Sequence, residues 1–119
     1  ACHGLSGILY TFLHFLAELE ILSEIRGVNV VGMVKSTIDK LNDTQVFAST
    51  GNLASSLGSK RDELVQWCHG APGHVVLLLR AYAVFKEEKY LELAKVAGRN
   101  TIFTRGMLTK GVGLCHGIS

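Results

Sequence analysis

The sequence contains little that would interrupt helices or build a simple cysteine framework. Proline occurs once in 119 residues, at Pro72, and most of the glycines stand at joints between apolar segments. This distribution favours helices separated by glycine-marked turns. There is no C-x-x-C pair, and the three cysteines are an odd number, which argues against a closed set of internal disulfides.

An excess of charge of one sign is also absent. Twelve basic and ten acidic residues leave a formal net charge of +2, which gives no electrostatic footprint for nucleic acid, so we predict no nucleic-acid partner. The longest apolar run, residues 75–85, contains Arg80 and is shorter than the roughly 20 residues of a membrane span. Without a signal-peptide pattern, we expect a cytoplasmic protein, and peripheral membrane association is not visible in the sequence.

The apolar residues predict an all-α protein in which two kinds of helix alternate. We predict helices over residues 5–22, 30–41, 72–85 and 88–103, with a fifth beginning at His116. The first and third are apolar nearly all round, whereas the second and fourth have one apolar face, as expected for buried and covering helices respectively. This alternation is typical of stacked helical hairpins, here about two and a half of them, and leaves open whether they close into a ring.

One short motif recurs at the start of each predicted inner helix. His-Gly occurs at His3, His69 and His116, at spacings of 66 and 47 residues. If the inner helices run parallel, all three turns lie at the same end of the helical layer. The chain begins and stops within such motifs, so we expect it to be part of a longer domain.

Each His-Gly pair directly follows a cysteine, at Cys2, Cys68 and Cys115. A catalytic zinc ion takes three protein ligands and keeps a fourth position open, and a helix N-terminus favours the thiolate that zinc requires. Neighbouring glycines allow the backbone to turn so that both Cys115 and His116 could reach one metal. The spacing alone leaves two interpretations open, a zinc site or three buried or free cysteines that each precede a capping histidine.

Two longer motifs bear a family resemblance. Trp-Cys-His-Gly-Ala-Pro-Gly at residues 67–73 and Gly-Leu-Cys-His-Gly at residues 113–117 closely resemble the motifs of LanC-like proteins, relatives of the bacterial lanthionine synthetase cyclases. The first motif is closest to the eukaryotic members, and the resemblance extends over the whole chain. It implies that residues 1–119 are part of a single domain, a segment of a double-layered α/α toroid of helical hairpins.

The resemblance also implies a set of functional residues. The zinc ligands of the family fall on Cys68, Cys115 and His116, the catalytic histidine on His3, and a lysine linked to glutathione binding on Lys110. The same resemblance makes His69 a helix-start residue, or a residue that supports the ligands, rather than a ligand itself. Cys2 stands where an apolar residue is usual, and we interpret it as a small core residue, although its closeness to His3 leaves a minor role in the site open.

The activity implied by the resemblance is zinc-dependent activation of a thiol. The thiol of glutathione or of a peptide cysteine would add to dehydroalanine or dehydrobutyrine, so the expected partners are glutathione and peptides or proteins that contain dehydroamino acids. The alternative is a non-catalytic regulatory adaptor that binds zinc and glutathione in the same pocket. A purely structural zinc is less well supported, because only three ligands are found.

Overall fold

The structure, a computed structural model, describes residues 4–106 and 113–115. Its helices are α1 (Leu5–Phe12), α2 (Leu16–Arg26), α3 (Val30–Gln45), α4 (Ala71–Phe85), α5 (Glu88–Ala97), a π-helical turn (Gly98–Ile102) and α6 (Phe103–Arg105). Within the described residues the only β feature is an isolated bridge between Val46 and Leu53. The prediction of an all-α fold is therefore confirmed.

The predicted first helix is not continuous, and this is the largest correction to the helix bounds. It divides into α1 and α2, which are bent by 88° relative to each other. Phe15 leaves the helical region at φ −118°, ψ 45°. The carbonyl of Leu13 instead accepts hydrogen bonds from Arg80 Nε at 3.2 Å and Nη2 at 3.0 Å. The apolar sequence pattern gives no sign of this break, because the residue at the break, Leu13, is itself apolar and buried.

The two central helix starts lie within one residue of their predicted positions. Helix α3 begins at Val30, where the Asn29 side chain accepts a hydrogen bond from the Gly32 amide at 2.9 Å, and it continues to Gln45, four residues beyond the prediction. Helix α4 begins at Ala71 and has Pro72 in its first turn, where the missing amide hydrogen does no harm. Lys86 adopts a left-handed conformation and ends α4 just before α5.

The predicted fourth helix changes its winding after Ala97. It widens into the π-helical turn and ends as α6. The segment before residue 52 packs against this turn, where Thr101 is buried and its hydroxyl donates to the Thr50 carbonyl at 2.6 Å. Gly51, at φ 72°, lies so close that a Cβ atom would be 2.8 Å from the Ala97 nitrogen. The loop between α3 and α4 is therefore fastened to the far end of the α5 segment.

The helices pack in the inner and outer arrangement that the alternation predicts. Helices α1 and α4 contact each other, while α3 packs on α1 and α5 packs on α4. The buried core draws on helices α1 to α5 and is formed by Leu9, Leu13, Leu19, Val34, Ile38, Leu41, Leu77, Leu78, Ala81, Tyr90 and Ala94. The outer helices are also joined directly, because the Tyr90 hydroxyl donates to Asp39 Oδ1 at 2.7 Å.

The inner helices are covered on one side only. Large apolar side chains of α1 and α4 remain exposed, including Ile8 at 53% and Leu79 at 46%. The sequence predicts that these helices are buried all round. They are not, because no other part of the described chain reaches their exposed faces. In the described residues no single helix is long and apolar enough to cross a membrane, and only the bent pair α1 and α2 reaches that length and composition together.

Candidate metal centre

Cys68 lies in a tight loop immediately before α4. Gly70 forms the junction with φ 118°, a conformation that L-residues rarely adopt. A Cβ atom at this position would lie 2.2 Å from the Leu64 carbonyl oxygen, so the chain also needs glycine for space. Inside the loop, the Gln66 amide donates to the His69 carbonyl at 2.8 Å. The glycine of this His-Gly pair is thus what allows the loop to fold tightly against the helix start.

The structure brings Cys68 next to Cys115. The Cys68 amide donates to the Cys115 carbonyl with an N···O distance of 3.4 Å, although the two residues are 47 positions apart. Both cysteines are half-buried. The Cys68 thiol also lies 3.5 Å from Oε1 of the buried Gln66, which accepts its hydrogen bond. Two soft sulfur donors on adjacent backbone segments fit the ligand preference of zinc.

The other predicted site residues lie outside the described part of the chain. These are the proposed third ligand His116, the proposed acid His3, and Lys110, together with Cys2. Within residues 4–106 and 113–115, no three His, Cys, Asp or Glu side chains form a group that could hold a metal. The ligand set Cys68, Cys115 and His116 therefore stays a prediction, as do the roles of His3 and Lys110.

A cavity of about 360 Å³ lies between the start of α1 and the loop before α4. The start of α1 at Gly4 lines one side, and Cys68, His69 and Gly70 line the other. The two inner helices thus place their N-terminal ends at one cavity, as the repeat predicts for these two turns, whereas the third turn lies outside the described residues. None of the described residues that line the cavity carries a formal charge.

A chain of polar side chains begins at Ser6, which lines this cavity, and continues to the buried His74 and the half-buried Asn42. Ser6 Oγ is 3.1 Å from His74 Nδ1, and His74 Nε2 is 2.8 Å from Asn42 Oδ1. Burial lowers the pKa of His74 to about 4, so its imidazole is neutral at pH 7. Because Asn42 Oδ1 is an acceptor, Nε2 carries the proton and Nδ1 accepts from the Ser6 hydroxyl.

The sequence analysis did not select His74, Ser6 or Gln66. His74 has a structural role, because its buried ring joins α1, α3 and α4. Ser6 lies two residues after the first His-Gly pair, and Gln66 precedes Cys68 by two residues, so nearness to the motifs was the signal that could have found them. His14, by contrast, is exposed and lies in the break between α1 and α2.

The comparison with known proteins assigns the family. The sequence model described as "Lanthionine synthetase C-like protein" matches residues 1–119. The chain belongs to the LanC-like family. This LanC-like chain is 40% identical over 117 residues to a Danio rerio protein named glutathione S-transferase LANCL1, and 34% identical over 119 residues to the Arabidopsis thaliana LanC-like protein GCL1.

These alignments cover 98% and 100% of the chain but only 27% and 25% of the two relatives. The chain thus spans about a quarter of the length of the curated relatives it matches. Identification of a eukaryotic LanC-like segment from the two Cys-His-Gly motifs is confirmed. The all-helical structure agrees with a segment of the toroid that the resemblance implies.

Proposed function

We propose that the full-length protein is a zinc-dependent transferase that adds a thiol to dehydroalanine or dehydrobutyrine residues. The observation that carries the proposal is the hydrogen bond from the Cys68 amide to the Cys115 carbonyl, which brings the cysteines of both motifs together. A zinc ion held by Cys68, Cys115 and His116 would leave one position open for a substrate thiol. When bound, the zinc would lower the pKa of that thiol and keep its sulfur nucleophilic near neutral pH.

Two features of the surroundings of Cys68 support its proposed role as a ligand. Gln66 lies against the Cys68 sulfur, and its amide could turn to donate a hydrogen bond once that sulfur is a thiolate. Helix α4 begins three residues after Cys68, so the loop that carries this cysteine leads into the partly positive end of a helix. Both features support a reactive or metal-binding Cys68 over a purely packed cysteine.

His3 is proposed to complete the reaction by proton transfer. Addition of the sulfur to the β-carbon forms a carbon–sulfur bond and leaves an enolate, which takes a proton at the α-carbon. His3 immediately precedes Gly4, and Gly4 lines the cavity that also contains Cys68. This adjacency supports His3 as the proton donor, which would then recover its proton from water.

The proposed thiol substrate is glutathione or a peptide cysteine. The Danio rerio relative is named a glutathione S-transferase, which favours glutathione. Because none of the described cavity residues carries a charge, the carboxylates of glutathione need a cation from elsewhere, and Lys110 is the proposed one. We also propose that the protein acts in the cytoplasm, where glutathione keeps such thiols reduced.

The test combines metal content with product formation in the full-length protein. We expect about one zinc per chain, loss of zinc in Cys115→Ser, and retention in Cys2→Ser, which changes a cysteine outside the proposed ligand set. Incubation with glutathione and a dehydroalanine peptide should give a thioether adduct by mass spectrometry, abolished by chelation. His3→Gln should keep its zinc but form adduct at least tenfold more slowly.

Two other results would redirect the assignment. A protein without zinc, or with zinc but without adduct in any condition, would contradict the transferase. Glutathione binding that persists in His3→Gln, without turnover in either form, would instead support the regulatory adaptor.

A further inference from the structure

Asp62, in the loop between α3 and α4, is the centre of a polar network beside the candidate metal centre. Its carboxylate accepts hydrogen bonds from Thr50 Oγ1 at 2.6 Å, Asn52 Nδ2 at 2.7 Å and Arg105 Nη1 at 2.9 Å. Burial raises the pKa of the carboxyl, but the donated hydrogen bonds outweigh this effect and hold the pKa below its ordinary value. The group is therefore ionised at neutral pH and acts only as an acceptor.

One arm of this network fixes the loop that carries Cys68. Asn52 is 1% exposed, and its Nδ2 also donates to the Leu64 carbonyl at 3.1 Å, while its Oδ1 accepts from the Ala71 amide at 2.7 Å. Leu64 and Ala71 are the two ends of the Cys68 loop. A single buried amide thus ties the base of the loop together.

Asp62 completes the hydrogen bonding of this amide. The Leu64 carbonyl can only accept and the Ala71 amide can only donate, so they orient Asn52 with its NH₂ group towards Leu64 and Asp62. The ionised Asp62 carboxylate accepts from this NH₂ group in a charge-assisted hydrogen bond, which is stronger than a neutral one. A neutral amide at position 62 would weaken this hydrogen bond and the one from Arg105.

The second arm joins Asp62 to the end of α6. Arg105 is the last residue of α6 and precedes Cys115 by ten positions. Its guanidinium donates two hydrogen bonds to Asp62. Nη1 binds the carboxylate, and Nη2 donates to the Asp62 backbone carbonyl at 2.8 Å. A forked contact to side chain and backbone of one residue fixes direction as well as distance.

We propose that Asp62 is a positioning residue that holds the Cys68 loop in place against Cys115, acting through Asn52 while Arg105 of α6 fixes its own carboxylate. The proposal deepens the proposed function and rests on it for the chemical role of the two cysteines. The proximity of the two cysteines can be measured without a metal, from the rate at which they form a disulfide with each other.

The experiment measures disulfide cross-linking between Cys68 and Cys115 in the metal-free, full-length protein. Diamide serves as the oxidant, and peptide mapping identifies the cross-link. We expect Asp62→Asn to slow formation of this disulfide at least fivefold relative to the wild type. Arg105→Met should slow it too, because the Asp62 carboxylate loses the cation that holds it beside Asn52.

Asp39→Asn is the matched control. Asp39 also accepts a hydrogen bond from a buried partner, Tyr90, and pairs with Lys35 and Lys89, but it joins α3 to α5 instead of the cysteine segments. Asp39→Asn should therefore lower the free energy of unfolding without slowing the cross-link. Equal cross-linking rates in the wild type, Asp62→Asn and Arg105→Met, or an equal slowing in Asp39→Asn, would overturn the proposal.

A second readout separates this proposal from the transferase. If the wild type carries zinc, competition with a chelator should show a 10- to 100-fold weaker zinc affinity in Asp62→Asn and an unchanged affinity in Asp39→Asn. A wild type without zinc would contradict the proposed function while leaving the cross-linking result valid. An unchanged zinc affinity in Asp62→Asn would count against the positioning role.

Discussion

Gly70 shows how much one backbone position contributes to the site. It combines a positive φ with a carbonyl contact that leaves no room for a side chain. Replacement by alanine must either strain φ or push Leu64 away, and both changes act on the loop that holds Cys68. The glycine of the Cys-His-Gly motif at residues 68–70 is thus required by sterics, independently of any chemistry at the cysteine.

We expect Gly70→Ala to lower the free energy of unfolding by about 3 kcal/mol, the sum of backbone strain and the displaced contact. Gly58→Ala is the matched control, because Gly58 has a similar positive φ of 75° but nothing within 4 Å of its Cβ position. That control should cost only about 1 kcal/mol. Denaturant unfolding of the two variants decides the question, and equal costs would show that the Leu64 contact is unimportant.

The contribution of His74 to the stability of the fold depends on pH. Its pKa in the folded protein is about 4, well below the ordinary value of 6.5, so the unfolded chain binds more protons between these two values. The stability that comes from a neutral His74 is therefore complete above about pH 6.5 and is lost as the pH falls towards 4. The size of this loss is about 3 kcal/mol.

His74→Gln should be less stable than the wild type at pH 7, because the Ser6 and Asn42 contacts are altered. Its stability should nevertheless fall less steeply between pH 6.5 and 4.5. Urea unfolding across this range tests the prediction, with His14→Gln as the control because His14 is exposed. A wild-type slope retained in His74→Gln would assign the pH dependence to another group.

At the scale of secondary-structure elements, the break between α1 and α2 is stabilised from a distant part of the chain. Arg80 on α4 donates two hydrogen bonds to the Leu13 carbonyl, which the interrupted helix leaves without its usual intrahelical amide. The bend turns α2 away from the inner layer and onto α3. A charged side chain in the middle of an apolar helix thus has a structural use.

We expect Arg80→Met to lower the free energy of unfolding by about 2 kcal/mol, because the Leu13 carbonyl would stay buried without a charged donor. Arg99→Met removes an exposed arginine of the π-helical turn and should change stability by less than about 0.5 kcal/mol. Thermal unfolding of both variants provides the comparison. Similar effects would show that the Arg80 hydrogen bonds do not maintain the bend.

At the scale of the whole molecule, the inner helices present apolar faces that this chain does not cover. Ile8 and Phe12 lie one helical turn apart on α1, with exposures of 53% and 43%. Because the chain spans about a quarter of its relatives, these faces are suited to contact further repeats of the family toroid. The isolated 119-residue chain should therefore associate with itself.

The expected measurement is an average mass above that of a monomer by light scattering, with strong binding of a hydrophobic dye. The double substitution Ile8→Lys and Phe12→Lys should shift the chain towards monomer. Leu57→Lys is the control, because Leu57 is 80% exposed in a loop outside the helical layer. A monodisperse wild-type monomer would contradict the prediction.

The sequence predicts some of these features and not others, for physical reasons. Helix α4 could be located within one residue, because Gly70 and Pro72 mark its start and the apolar run fills its length. The break at Leu13 could not, since its stabilising partner Arg80 is 67 residues away and no local pattern records the contact. The same applies to Asp62, whose importance depends on Asn52 and Arg105 lying beside it in three dimensions.

The meeting of Cys68 and Cys115 also bears on the order of folding. Closing a loop of 47 residues costs about 3 kcal/mol in the length-dependent part of chain entropy, more than one backbone hydrogen bond returns. The α4–α5 hairpin lies between the two cysteines, and its local contacts shorten the chain that remains to be closed. We therefore expect the hairpin to fold first and the cysteine pair to assemble on it, which would make the meeting of the two cysteines a late event and a reporter of native hairpin structure.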